Sequence, residues 1–272
     1  MDLFCFDTTG ACRLDSYQKI PLLSEDPVFG LSSRGPRRLV ALAGLSTARE
    51  DWADVRTYGD LCKVRFSLQR DSPHFPLMAG ELLLEDAADR KVLLPLKPML
   101  VKIRLRSIMA DFGARPYAGT PFFNTALFLG FAVTEYLPLG PGQVPRPLSW
   151  VNAGLPDSLA IMRLPFPDML LQEGLGTIGP TRLYPGRDFY CYPSEQLRLV
   201  LAGRIGEDVC YYPIPLPGLL PGATYELDLT LQRKGTPDAD VPVEVGTVLV
   251  ETKTVPWERE DPLTVEFPTY ED

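Results

Sequence analysis

Thr224-Tyr225-Glu226-Leu227-Asp228-Leu229-Thr230-Leu231-Gln232-Arg233-Lys234-Gly235-Thr236-Pro237-Asp238-Ala239-Asp240 is the stretch that decides the fold class of this chain. Tyr225, Leu227, Leu229 and Leu231 alternate with Glu226, Asp228, Thr230 and Gln232. That is the period of a strand with one core face and one wet face. Lys234 to Asp238 then supply turn residues. The same alternation runs through Cys62, Val64, Phe66 and Leu68, through Met99, Val101, Ile103 and Leu105, and through Leu263, Val265 and Phe267. Apolar runs at Leu39–Leu45, Leu82–Leu84, Leu127–Val133, Leu197–Leu201 and Thr247–Val255 read as further strands, some buried on both faces. The pattern predicts an all-β chain.

Composition supports this reading. Of 272 residues, 28 are proline, about twice the usual ~5%. Proline lacks a ladder donor and breaks helix interiors, so many short strands between turns are expected. A net charge of −8 argues against nucleic acid as a partner, because phosphate neutralisation needs basic surface. The five cysteines, Cys5, Cys12, Cys62, Cys191 and Cys210, include no C-x-x-C pair, so zinc-site spacing is missing. Cys5 and Cys12 flank a turn at Thr8-Thr9-Gly10 and could face each other across a hairpin, while buried free thiols are the plainer reading for most of the five. No segment approaches the ~20 apolar residues of a spanning helix, and no signal peptide is visible. Met1 is followed almost at once by Leu3-Phe4-Cys5-Phe6, which reads as a strand and suggests that sequence upstream has been lost.

Helical signals are few. Thr47-Ala48-Arg49-Glu50 fits a capping box, with Trp52 and Val55 following, and predicts a short helix ending by Gly59. Ser158–Leu164 and Asp168–Glu173 read as single helical turns, and Pro138–Pro147 as a loop. Ser107–Pro121 is mixed in polarity and rich in Gly and Pro. The expected division is therefore 1–108 as an N-terminal β-sandwich domain, incomplete at its start, and 109–272 as a C-terminal one.

Several segments resemble the fimbrillins, pilus proteins of anaerobic gut and oral bacteria. Leu3-Phe4-Cys5-Phe6-Asp7-Thr8-Thr9-Gly10 is similar to the family's opening strand and turn, and Leu39–Leu45 to the strand before its short helix. Leu96-Lys97-Pro98-Met99-Leu100-Val101-Lys102-Ile103 resembles the strand joining its two domains. The C-terminal half carries the strongest likeness: Phe189-Tyr190-Cys191-Tyr192-Pro193-Ser194, Tyr211-Tyr212-Pro213-Ile214, the hairpin Tyr225–Asp240, and Val255-Pro256-Trp257. The resemblance implies two tandem transthyretin-like β-sandwich domains in a non-enzymatic fimbrial or cell-adhesion component, an anchor, tip or accessory pilin. Stalk subunits of the family polymerise by strand exchange. A protease removes an N-terminal strand after an arginine, and a neighbour's C-terminal strand fills the groove, which is β-augmentation. Here the first strand opens near residue 3, so a cleavable leader strand is not visible. Arg34 and Arg37-Arg38 beside Gly35-Pro36 read more simply as a solvated basic turn. Anchor and accessory members are lipoproteins, so the implied location is the cell outer membrane or cell surface, with membrane contact only through an N-terminal lipid outside this chain. Implied partners are other fimbrial subunits, and a host or bacterial surface protein or glycan.

Catalytic chemistry has little support. His74 is the only histidine, in a Ser72–Pro76 loop, so a multi-histidine metal site is impossible and no cofactor is expected. The acid pairs Glu85/Asp86 and Asp238/Asp240 could in principle serve glycoside chemistry, but turn acids are far commoner. Leu263, Val265 and Phe267 are the candidate assembly residues, either as the last strand of their own sandwich or as a donor strand. Trp150, beside the proline-rich loop, is the candidate exposed aromatic contact, whereas Trp257 reads as closing a core. The alternative function is a carbohydrate-binding β-sandwich module of a surface glycan-capture system, for which exposed coplanar aromatics would be needed.

Overall fold

A computed structural model describes residues 1–20, 35–44, 52–85, 91–113, 115–137, 139, 146–151, 167–216, 218–244, 246–257 and 262–266. The chain is all-β. In chain order the strands are β1 (Asp2–Asp7), β2 (Leu14–Lys19), β3 (Arg37–Ala43), β4 (Phe66–Ser67), β5 (Met78–Leu84), β6 (Lys91–Pro95), β7 (Lys97–Pro98), β8 (Val101–Ala110) and β9 (Phe122–Gly130). They continue as β10 (Ala132–Leu137), β11 (Arg146–Val151), β12 (Leu171–Glu173), β13 (Arg187–Cys191), β14 (Arg198–Ile205), β15 (Asp208–Pro215), β16 (Ala223–Leu231), β17 (Val248–Pro256) and β18 (Pro262–Glu266). One short α-helix, α1 (Tyr58–Leu61), is described. The chain gathers into two compact units: 1–99 with 135–146 and 258–272, and 100–134 with 147–257.

The first unit is organised on β1. It pairs antiparallel with β2 and with β3 in a sheet of order β2-β1-β3-β5-β7. Its residues Leu3 to Phe6 are all fully buried, so both faces of the strand are covered. On one face Leu3 and Cys5 pack with Leu39 and Ala41 of β3 and with Val92, Leu94 and Leu96 in a single apolar cluster. On the other, the Phe4 ring meets Trp52 edge-on at 5.0 Å, and Phe6 meets Tyr58 at 5.8 Å. Gly80 of β5 permits the close approach of β6, since a Cβ there would lie 2.4 Å from the Pro95 carbonyl oxygen.

The second unit is built from two four-stranded sheets, β12-β9-β14-β15 and β13-β8-β16-β17. Tyr225, Leu227, Leu229 and Leu231 of β16 are buried, as the alternation requires. β16 runs parallel to β8, and a register shift between Leu227 and Asp228 sets Arg106 out as an extra residue. In the other sheet the register slips between Ala202 and Arg204. Gly203 lies at that slip with the Phe122 ring against it, and a Cβ there would come within 2.4 Å of the ring.

Several sequence expectations need correction. Cys62–Leu68 is not a strand. Cys62 caps α1, the Lys63 amide donates to the Asp60 carbonyl, and only Phe66–Ser67 pairs. The predicted capping box at 47–50 lies outside the described residues. The helix that is seen starts at Tyr58, where the predicted one should be ending, because Thr57 and Asp60 form the capping box. Trp52–Val55 is a turn closed by the Val55 amide on the Trp52 carbonyl. Leu127–Val133 is interrupted at Phe131, which has a positive φ of 57°. Arg37 and Arg38 belong to β3, and Cys5 faces Ser16, not Cys12. None of the five cysteines is in a disulfide. Asp168–Glu173 is a 3-10 turn at Pro167–Met169 followed by β12, and Ser158–Leu164 lies outside the described residues. Of the Pro138–Pro147 loop, 138 and 140–145 also lie outside them; Leu139 is buried, and Arg146 and Pro147 open β11.

Candidate assembly surfaces

Two strands present backbone edges suited to pairing. The first is β18. It pairs antiparallel with β6 in a two-stranded ladder: Leu263 opposite Leu94, Thr264 opposite Leu93, Val265 opposite Val92. The receiving strand is strictly two-faced, since Leu94 is fully buried while Leu93 is 59% exposed. A strand whose alternation matches that of β6 can therefore extend the core of the first unit by main-chain hydrogen bonds and alternate apolar positions. Phe267 lies outside the described residues. Trp150 lies in β11, and its side chain is likewise outside them.

The second is β17, which among the described residues has β16 as its one neighbour and ends the sheet β13-β8-β16-β17. Glu251 to Thr254 and Leu249 are exposed. Such an edge leaves a row of backbone donors and acceptors open to another strand.

The same sheet carries an ionic ladder that the sequence reading overlooked. Arg104 of β8 makes a bidentate pair with Asp188 of β13, Nε at 2.7 Å and Nη2 at 3.0 Å, and Lys102 Nζ adds a contact at 3.1 Å. Burial pushes the Asp188 carboxyl up, but the hydrogen bonds and charges of Arg104 and Lys102 outweigh it and leave the pKa lowered. Asp228 accepts from Arg106 and from the Ser107 hydroxyl. The Arg106 hydrogen bond is the largest cause of its lowered pKa. Arg182 joins through Nη1 to Ser107 at 2.8 Å. The signal was present in the sequence: Lys102, Arg104 and Arg106 alternate on one strand, Glu226 and Asp228 on another.

Arg37 and Arg38 are not a solvated turn. Arg37 is buried and its Nε lies 3.4 Å from Asp15. Arg38 pairs with Glu81 at 2.5 Å and stacks 4.1 Å from the Tyr58 ring centre, and the Tyr58 hydroxyl donates to Glu81 at 2.9 Å. Arg37 thus ties β3 to β2 across β1, and Arg38 ties it to β5 and α1. Arg34 lies outside the described residues.

The candidates for chemistry stay apart. His74 is exposed in a bend. The Asp238 carboxylate accepts from the Asp240 amide at 2.9 Å, a local turn contact. Asp86 lies outside the described residues. Among the described residues no three His, Cys, Asp or Glu gather as metal ligands. A cleft of about 410 Å³ between Pro121–Thr125 and Gly174–Thr177 is lined by no titratable side chain. Trp257 is half-buried against Tyr190, with ring centres 5.6 Å apart.

No family model matches the chain, and no curated protein does. Solved structures do. A protein of proposed cell-adhesion function from Parabacteroides distasonis superposes with a TM-score of 0.66 at 13% identity, over 94% of this chain and 87% of that one. A corresponding protein from Bacteroides eggerthii gives 0.62 at 18% identity, over 98% and 89%. A fimbrilin from Porphyromonas gingivalis gives 0.59 at 13% identity, over 94% and 90%. The likeness is one of fold, and it spans nearly the whole chain. The fimbrillin resemblance drawn from the sequence thus meets a fimbrilin and adhesion-type proteins among the structures that share this fold.

Proposed function

We propose that this chain is a non-enzymatic fimbrial or cell-adhesion component of the cell surface, and that it assembles with other subunits by β-strand exchange through Leu263, Val265 and Phe267. The observation that carries the reading is the β18–β6 ladder. β18 follows the last strand of the second unit in sequence, yet it groups with the first unit and pairs there with a two-faced strand that continues the core. A strand held in that way can be replaced by an equivalent strand of a neighbour, because main-chain hydrogen bonds and two alternate apolar positions are supplied equally well in cis or in trans. The shared fold with a fimbrilin and adhesion-type proteins supports the same reading.

Removal of residues 262–272 is the test. The expected outcome is loss of subunit pairing in mixing experiments and loss of fimbriation in cells. Unchanged pairing and fimbriation would overturn the assembly role. The alternative carbohydrate-binding reading needs a platform of coplanar aromatic rings. The exposed described aromatics Tyr17, Phe75 and Tyr184 sit on three separate segments, which does not favour it.

A further inference from the structure

We infer that β17 is a second interaction surface, independent of β18, whose occupant is β17 of another copy of this chain, paired antiparallel about a two-fold axis at Thr252. The strand is nine residues long, is hydrogen-bonded on one side by β16, and ends its sheet. Proline, which would block a ladder donor, occurs in it solely at the terminal Pro256. A lysine on an open edge ordinarily discourages pairing. Lys253, however, is the one cation of β17, and Glu251 is its one anion. The two flank Thr252 symmetrically.

An antiparallel pair centred on Thr252 sets Glu251 opposite Lys253 of the second copy, and Lys253 opposite Glu251 of the second copy. The same register sets Leu249 opposite Val255, again twice. All four residues alternate onto one face of β17, so that face reads Leu–Val, Glu–Lys, Lys–Glu, Val–Leu across the axis. Sequence order alone makes the edge complementary to itself in this register. Shifting the pairing by two residues, the smallest slip that keeps each face intact, removes both ion pairs.

The surroundings within the chain leave these charges available. Neither Glu251 nor Lys253 has an ion-pair partner among the described residues. Glu251 lies opposite Asp228 across the β16–β17 ladder, so its neighbour on that side is another acid, already engaged by Arg106 and Ser107; Lys253 lies opposite Glu226, whose carboxylate is 3.9 Å from Arg104. A cation approaching the open edge is the favourable complement. Leu249, 48% exposed, would lose solvent contact against Val255 of the second copy. Joining two four-stranded sheets at this edge would make one continuous sheet.

Sedimentation velocity of the full chain over a concentration series tests this. The native protein should dimerise as concentration rises. Glu251→Lys and Lys253→Glu each place two like-charge pairs at the axis and should weaken the dimer by about tenfold or more. The double exchange, Glu251→Lys with Lys253→Glu, recreates both pairs and should restore it. Both side chains are exposed, so far-UV dichroism and melting temperature should match the native protein. A native chain that stays monomeric at every loading would overturn the inference. So would association indifferent to the single reversals, as expected if β18 mediated it, or a double exchange that fails to restore the dimer.

Discussion

Asp188 receives Arg104 through two nitrogens and Lys102 through a third, and this explains how a half-buried carboxylate can remain charged in a sheet. Asp228 is held the same way by Arg106 and Ser107. Both carboxyls titrate below their ordinary value. In the unfolded chain an aspartate takes up its proton near pH 3.9, so below that pH the unfolded state binds more protons than the folded one. Stability from these pairs is therefore complete above about pH 4 and is lost as pH falls through the lowered folded values. Asp188→Asn should cost about 1–2 kcal/mol at pH 7 and should flatten the acid limb of a urea-denaturation series below about pH 4. An acid limb as steep as that of the native protein would show that Asp188 contributes no linkage. At this scale the sequence was legible for core residues and poor for charges. The alternation of Leu227 and Leu229 announced burial, whereas Arg37 and Arg38 looked like a basic turn beside Gly35-Pro36. Which carboxylate an arginine meets depends on strand order, and strand order is not written in the local pattern.

At the scale of elements, period-two alternation located β8 and β16 well, because each has one wet face, and apolar runs located β14 and β17. It failed at Cys62–Leu68, where a capping box took precedence over the alternation. That box uses Asp60 at its third position in place of glutamate or glutamine, so the usual signature matches Thr47–Glu50 instead. The close contact of β5 with β6 was also hidden, since nothing beside Gly80 in the sequence marks it as a point of approach. Gly80→Ala should destabilise the first unit by about 1–3 kcal/mol, because the new Cβ meets the Pro95 backbone at 2.4 Å and backbone yields less easily than a side chain. Denaturant unfolding of the variant checks this, and an unchanged midpoint would show that β6 can shift freely.

At the scale of the whole molecule, the chain is two compact β units, and its last described strand groups with the first of them. The alternation of Leu263 and Val265 identified a strand with one apolar face but could not choose its partner, because any strand of matching period would serve. That same degeneracy is what permits exchange between subunits. A lock on the ladder tests it most directly. Val92 and Val265 stand opposite each other, and opposed Cα atoms in an antiparallel pair lie about 4.5–5.5 Å apart, within disulfide range. The measurement is assembly of a Val92→Cys, Val265→Cys chain with and without reductant, with the crosslink mapped by mass spectrometry. The expected result is an oxidised chain that forms no strand-exchanged polymer, going no further than a β17-paired dimer, and a reduced chain that polymerises normally. Equal assembly of the locked and the reduced chain would contradict strand exchange through β18.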